Sequence, residues 1–311
     1  MRIATIDIGT NTILMLIADV SADGALTVVR EEHVIARLGK GVDGLKRFTP
    51  ETFTKALGYL DRFRGIAKAL LAERIIACGT SAFRDASNSG EFIAFIRQKL
   101  GIEIEVLSGH REAELTYQGA VSESLVENEQ QSFAVLDIGG GSTELTAGIG
   151  TNLVSMESLD IGCVRLTERY LKNSPPTETA LNEAASEIIS WTGGFHRLEP
   201  QTRLLGVAGT VTTLAAMELN LKTYDPNRVS GRYISSQTID RYANTLSTMT
   251  VPEMVRTYPQ IQEGRADIIL AGLLILRECL KQIGAGGIVA SDRGLRYGMA
   301  LHEFLLRSHK P

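Results

Sequence analysis

Two short stretches of this sequence combine residue types that handle phosphate. The first is Ile6-Asp7-Ile8-Gly9-Thr10-Asn11-Thr12, the second Leu136-Asp137-Ile138-Gly139-Gly140-Gly141-Ser142-Thr143-Glu144. In both, an apolar run ends in Asp-Ile-Gly and passes into a small, polar turn. Glycine lets backbone amides approach a ligand closely and adopt positive φ, and successive amides in such a turn form a concavity that binds anions. Thr10, Asn11, Ser142 and Thr143 add directional side-chain donors. Carboxylates beside an anion site make sense once a divalent cation is included. Mg²⁺ takes one or two protein carboxylates and draws its other ligands from substrate phosphates and water. Asp137, Glu144 and Asp7 are the carboxylates so placed. In a strand from 143 to 149, Glu144 and Thr146 share one face and Leu145, Ala147 and Ile149 the other, so Glu144 can face a cleft while its neighbours pack.

A third small-residue turn, Gly206-Val207-Ala208-Gly209-Thr210-Val211-Thr212, lies between an expected strand and an expected helix. Amides at a helix N-terminus favour anions, which makes Gly209 and Thr210 phosphate-facing candidates. A plain tight strand–helix turn explains the same residues equally well. Two commoner phosphate motifs do not fit. The sequence has no Gly-x4-Gly-Lys-Ser/Thr, and Glu144 stands where a dinucleotide fingerprint needs its third glycine, before a strand and not a helix.

These turns need elements to hold them. Periodicity and β-branched content predict strands near 2–8, 13–20, 26–36, 74–78 and 103–107, with helices near 51–72, 90–100 and 110–124. A polar connection follows at 127–132, and then the pattern restarts. Phe133-Ala134-Val135-Leu136-Asp137-Ile138-Gly139 repeats Ile3-Ala4-Thr5-Ile6-Asp7-Ile8-Gly9 at an offset of 130 residues. Strands near 145–149, 153–158, 203–207 and 287–290 follow, with helices near 163–171, 178–193, 210–218, 236–247, 265–283 and 294–306. Two copies of one strand–turn–strand unit, each opening a half-chain, imply two similar α/β lobes with a cleft between them. The lobes are expected at 1–125 and 126–311, with the last helix free to pack on the first lobe. Two unrelated strands that both end in Asp-x-Gly are the alternative, which the matching turns argue against.

Bulk properties narrow the setting. The chain has 311 residues, 44% hydrophobic and 22% charged, enough for a sizeable core. Its 32 basic and 36 acidic residues give a net charge of −4, spread over both halves, so neither a nucleic-acid nor a membrane partner is indicated. A phosphate-rich substrate therefore requires a local basic site. The N-terminus reads as a buried strand without the features of a signal peptide. No apolar run approaches the ~20 residues of a membrane helix. Cys78, Cys163 and Cys279 are isolated and read as buried free thiols in a cytoplasmic protein. His33, His110, His196, His302 and His309 show no metal-ligand spacing, and Trp191 reads as a core or interface aromatic.

With these motifs in order, the chain resembles the exopolyphosphatase/guanosine pentaphosphate phosphohydrolase family over essentially its whole length. The segments that carry the resemblance include the two Asp-Ile-Gly turns, Gly79-Thr80-Ser81-Ala82-Phe83-Arg84-Asp85-Ala86 and Leu107-Ser108-Gly109-His110-Arg111-Glu112-Ala113-Glu114. Gly206 to Thr210, Gly264-Arg265-Ala266-Asp267 and Ser291-Asp292-Arg293-Gly294-Leu295-Arg296 complete it. The resemblance implies the two-lobed actin/sugar-kinase/Hsp70 architecture, which is ribonuclease H-like, with its active site in the interlobe cleft. Glu112 matches the glutamate that serves as general base or orients water, and Arg84 the arginine that grips substrate phosphate. Asp137 and Glu144 match the acidic positions around the metal. Members with a C-terminal extension carry a further helical domain, before which this sequence stops.

The expected reaction is metal-dependent removal of terminal orthophosphate from inorganic polyphosphate, with Mg²⁺ or another divalent cation. Hydrolysis of guanosine pentaphosphate, a (p)ppGpp-type nucleotide, is the rival within the family. A kinase of the same superfold and a non-enzymatic phosphate-binding module are rivals outside it. A homodimer is compatible with the family. Taken by themselves, Glu112 reads as a solvated glutamate at a helix start and Arg84 as a surface ion pair with Asp85. Only their context makes them catalytic.

Overall fold

The computed structural model describes residues 1–22, 24–122 and 130–308. The two repeated runs form strands for the same reason. Ile3 to Ile6 and Phe133 to Leu136 are buried on both faces, the pattern of a strand at the middle of a sheet covered from two sides. β1 (Arg2–Ile8) and β6 (Ser132–Ile138) even share one burial sequence: four buried residues, a half-buried aspartate, then a buried isoleucine.

Around β1 lie β2 (Thr12–Val20), β3 (Leu26–Ile35), β4 (Arg74–Gly79) and β5 (Ile104–Val106), in the order β3-β2-β1-β4-β5. β2 is antiparallel to β1 and β3, while β4 is parallel to β1 and β5 to β4. Around β6 lie β7 (Thr143–Ile149), β8 (Asn152–Leu159), β9 (Arg203–Val207), β10 (Tyr233–Ser235) and β11 (Gly287–Ala290), in the order β8-β7-β6-β9-β11-β10. The senses match strand for strand, with β10 added antiparallel at the edge.

The duplication reaches into detail. Gly9 N donates to Thr12 O at 2.9 Å and Gly139 N to Ser142 O at 3.0 Å. The β2/β3 register shifts between Ile17 and Ala18, the β7/β8 register between Ala147 and Gly148. Every one of these correspondences keeps the 130-residue offset.

Contacts divide the chain into two units, one of Met1–Gly119 with Arg293–Pro311, the other of Ala120–Asp292. The first is thus built from both ends of the chain. Its core gathers β1, β2 and β4 against helices Pro50–Ala69 and Ser89–Leu100. The C-terminal helix Leu295–Ser308 packs Tyr297 and Ala300 on Leu16 and Ala18 of β2, and its Arg296 carbonyl accepts from Thr5 Oγ1 at 3.0 Å. The second unit centres on helix Ile269–Ile283, which is buried along most of its length.

Several local expectations are corrected. The helix expected at 265–283 divides into Glu263–Ala266 and Ile269–Ile283, with Asp267 and Ile268 between the two. Helix Val251–Thr257 lies beyond the expected elements although its start signal is local: Thr250 and Glu253 form a reciprocal capping box with proline in the first turn. The short β10 carries too few residues for a periodic signal. The helix expected to end at 124 ends at Val121 with Ser122 in a turn, and 123–124 and the first half of the connection at 127–132 lie outside the described residues. All three cysteines are free and buried. No described helix is long and apolar enough to cross a membrane.

Helix Gly109–Val121 crosses the C-terminal helix with the two backbones touching. A Cβ on Gly298 would lie 1.8 Å from Leu115 O, and one on Gly119 2.1 Å from Gly294 O. Backbone cannot yield as a side-chain tip does. Gly298→Ala is therefore expected to lower the thermal midpoint, with a loss of about 1–3 kcal/mol typical of overpacking. Gly65, inside helix Pro50–Ala69, has open space where a Cβ would stand, so Gly65→Ala should stabilise by roughly 0.5–1 kcal/mol. Equal shifts for the two variants in thermal unfolding would contradict this account of the crossing.

Candidate active site

In both sheets the site residues follow from the parallel pair at the centre. β1 and β4 run side by side, with Asp7 in register with Cys78 and Ile8 with Gly79. Their C-terminal ends therefore bring together the Gly9 turn and helix Ser81–Asp85, the place where open α/β sheets bind ligands. β6 and β9 do the same for the Gly139 turn and helix Ala208–Glu218, with Asp137 in register with Val207.

In the first unit, Thr10 and Asn11 are held by their carbonyls, which accept from Gly39 N at 2.7 Å and Arg37 N at 2.8 Å. Gly39 has no Cβ because one would lie 2.2 Å from Thr10 Cγ2. Among the described residues, neither the Thr10 hydroxyl nor the Asn11 side chain makes a hydrogen bond, so both remain as donors. Gly79 admits the Phe83 ring, which would meet a Cβ there at 2.5 Å. Phe83 then packs edge-on against Phe48 and Phe92, with centroids 5.1 Å away in each case. That cluster anchors the short helix and so fixes Arg84.

Glu112 arrives from the other direction. Ser108 Oγ accepts from Arg111 N at 3.2 Å, capping helix Gly109–Val121 and setting Glu112 in its first turn. Arg84 Nη1 donates to Glu112 Oε2 at 2.6 Å and to Leu107 O at 3.0 Å. Glu112 is only 8% exposed, which rules out the solvated-glutamate reading. Burial raises its carboxyl above the ordinary value, against the pull of Arg84 in the opposite direction. The result is a buried, basic carboxylate clasped by a guanidinium. Arg84 thus reaches a carboxylate 28 positions away as well as its sequence neighbours.

In the second unit, the Gly139 turn is pinned by its carbonyls. Cys163 N donates to Gly139 O at 3.0 Å, Val164 N to Gly140 O at 2.8 Å and Arg165 Nε to Gly141 O at 2.9 Å. Gly162 allows this approach, since a Cβ would sit 2.5 Å from the Gly140 carbonyl carbon. In a trans peptide the N–H points away from the C=O. Holding those carbonyls inward therefore turns the amides of Gly140, Gly141 and Ser142 outward, as an anion cradle requires. Thr143 has another job. It is fully buried and its hydroxyl donates to Ile161 O at 2.6 Å, so its proton fastens the turn instead of facing a ligand.

Asp137 and Glu144 are direct cross-strand partners, and Ser158 on β8 donates to Glu144 Oε1 at 2.9 Å. The equivalent of Glu144 in the first unit is Leu14, opposite Asp7. Two carboxylates facing each other across a strand pair repel, and Glu144 is almost wholly buried. A cation between them would relieve this. No group of three or more His, Cys, Asp or Glu side chains that could hold a metal occurs among the described residues. The pair supplies two carboxylates, the number a divalent cation would use if water and phosphate oxygens completed its shell.

At the third turn, Ala208 has φ 64°, a left-handed conformation that costs a non-glycine residue free energy. Gly209 lies flat against a guanidinium the motifs had not tied to it. A Cβ there would be 2.5 Å from Arg265 Cζ, and Arg265 Nη1 donates to Thr213 Oγ1 at 2.9 Å and Gly209 O at 3.3 Å. Burial lowers the Arg265 pKa, and no described carboxylate pairs with it. Positive charge is thus held at the Gly209 turn. Thr210 packs under it against Gly272. The sequence signal was Gly264-Arg265-Ala266-Asp267, but nothing local showed that a residue 56 positions on would reach the turn.

Two sheets of one order and one sense, each presenting phosphate-directed turns at the ends of its central parallel strands, define a duplicated α/β protein of the actin/sugar-kinase/Hsp70 type. Within that class the chain belongs to the Ppx/GppA phosphatase family, whose pattern matches residues 16–307. It is 35% identical to Exopolyphosphatase 2 of Mycobacterium tuberculosis over 321 aligned positions, covering 96% of this chain and 98% of that one. The crystal structure of the Aquifex aeolicus family member superposes with a TM-score of 0.84 at 32% identity, covering 100% and 99% of the two chains. An exopolyphosphatase from Cytophaga hutchinsonii gives 0.83 at 29%, covering 98% of each.

Proposed function

We propose that this protein is a metal-dependent exopolyphosphatase that releases the terminal orthophosphate of inorganic polyphosphate. The observation that carries the reading is the buried Glu112 carboxylate, raised in basicity and held at 2.6 Å by Arg84, in a chain of this family. Phosphoanhydride hydrolysis passes through a loose transition state, so positioning and charge stabilisation supply most of the catalysis. Glu112 orients a water in line with the terminal phosphorus and takes its proton as the new P–O bond forms. The bridging P–O bond breaks, and the shortened chain leaves with the electron pair. Arg84 carries the charge gathering on the terminal phosphoryl oxygens. The amides of Gly140 and Gly141, with Ser142, Thr10, Asn11 and the Gly209 turn, bind phosphate. Asp137 and Glu144 hold a divalent cation, Mg²⁺ in this reading, which neutralises phosphate charge when bound.

The test is phosphate release from short-chain polyphosphate and from guanosine pentaphosphate in parallel, with Mg²⁺ and with chelator. Metal-dependent release from polyphosphate is the expected result. Preference for the nucleotide would move the reading to the other branch of the family, and silence on both would leave a binding module. Within the enzyme, Glu144→Gln keeps the bond from Ser158 but removes one anionic ligand. It is expected to raise the Mg²⁺ concentration for half-maximal activity on the order of tenfold or more. An unchanged metal titration would take Glu144 out of the cation site.

A further inference from the structure

Thr116 is 2% exposed, and its Oγ1 is buried with no hydrogen-bond partner in the protein. Other helical threonines show the partner such a hydroxyl can take. Thr54, Thr167, Thr192, Thr212 and Thr245 each donate to the carbonyl four residues back, at 2.7 to 3.2 Å. For Thr116 that carbonyl belongs to Glu112, and Thr116 does not use it. A buried hydroxyl left unsatisfied costs about 1–3 kcal/mol, so the protein gains from any partner that fits.

Helical geometry supplies one direction for that partner. Residues four apart lie on one face, with Cβ atoms about 5–6 Å apart. Glu112 offers a carboxylate whose Oε2 is taken by Arg84 and whose Oε1 has no bond among the described residues. A single water, with hydrogen bonds near ~2.8 Å, bridges two oxygens up to about 5.6 Å apart. Cys78 on β4 lies in electrostatic reach of Glu112, and Asp7 on β1 and Glu105 lie in reach of Cys78. The Cys78 thiol is raised by burial first, then by the charges of Asp7, Glu112 and Glu105.

We propose that Thr116 is a positioning residue: its hydroxyl holds a buried water that hydrogen-bonds the Glu112 carboxylate and aims it at the lytic water. The proposal rests on the reading of Glu112 as general base. It assigns Thr116 no contact with substrate, so the effect must run through Glu112.

The experiment compares Thr116→Val, which keeps the shape and removes the hydroxyl, with Thr116→Ser, which keeps the hydroxyl. Polyphosphate hydrolysis is followed across pH, alone and in a Glu112→Gln background. Thr116→Val is expected to lower kcat by about ten- to a hundredfold with KM unchanged. Its acid limb should move to higher pH, because a carboxylate that loses a donor holds its proton more tightly. Thr116→Ser should restore rate and profile, and Thr116→Val should add no loss once Glu112 is glutamine. A more heat-stable Thr116→Val with wild-type kinetics would show a merely unsatisfied hydroxyl and overturn the proposal, while leaving Glu112 in its role if Glu112→Gln is crippled. If Glu112→Gln itself keeps full kcat, the base assignment falls and this inference with it. Thr116→Ala supplies the same comparison should valine not pack.

Discussion

Glu112→Gln is expected to lower kcat by about 10²–10⁴-fold with little change in KM, the contribution typical of a positioned general base. Glutamine preserves the volume of the side chain and still accepts from Arg84, so the helix start and the Arg84–Leu107 bond should survive. What disappears is the capacity to take a proton. The pH dependence sharpens the test. Burial sets the Glu112 carboxyl above its ordinary value and Arg84 offsets only part of that rise. The base is active when ionised, so kcat/KM of the parent should fall as pH drops through a pKa displaced above the ordinary ~4.3 of glutamate. In Glu112→Gln that acid limb should be gone from the residual rate. Near-normal kcat, or an unchanged limb, would remove Glu112 from the chemistry.

The parts of this site that could be read from sequence are those whose signals are local. Asp-Ile-Gly after a run buried on both faces is a strand end and a turn in one phrase, and its recurrence 130 residues on disclosed the duplicated fold. The alternation in β7 set Glu144 and Thr146 apart from Leu145, Ala147 and Ile149, and the register then puts Glu144 opposite Asp137. What stayed hidden depends on long-range approach. Arg84 reaches Glu112 because parallel strands carry both helices to the same sheet edge. Arg265 reaches Gly209, and Gly298 meets Leu115, across separations that no motif encodes. Thr143 shows the opposite limit. A hydroxyl in a glycine-rich turn looks like a ligand donor, yet whether it faces outward or fastens the turn depends on where Ile161 lies.

Arg84→Met should rival Glu112→Gln in lost rate, by two routes that pH separates. Methionine removes the guanidinium from the terminal phosphoryl group, and it also removes the positive charge that holds the Glu112 carboxyl down. Burial then acts unopposed, the carboxyl keeps its proton to higher pH, and the base is lost near neutrality. Deleting one partner of a buried pair costs about 3–5 kcal/mol when the other charge must remain. Here the side chains are 21% and 11% exposed, and the carboxyl can escape by protonating, so the cost should depend on pH. A carboxyl raised by folding contributes stability that is full below its unfolded pKa and is lost as pH climbs through its folded pKa. The higher folded pKa in Arg84→Met widens that window. Relative to the parent, the variant should lose more stability at about pH 8 than at about pH 5. Adding Glu112→Gln removes the stranded carboxyl, so the pH-dependent loss should vanish and kcat should fall little below that of the single variants. Fully additive rate losses, with no pH-dependent stability difference, would mean that Arg84 acts on substrate alone and that its clasp on Glu112 contributes nothing to the base.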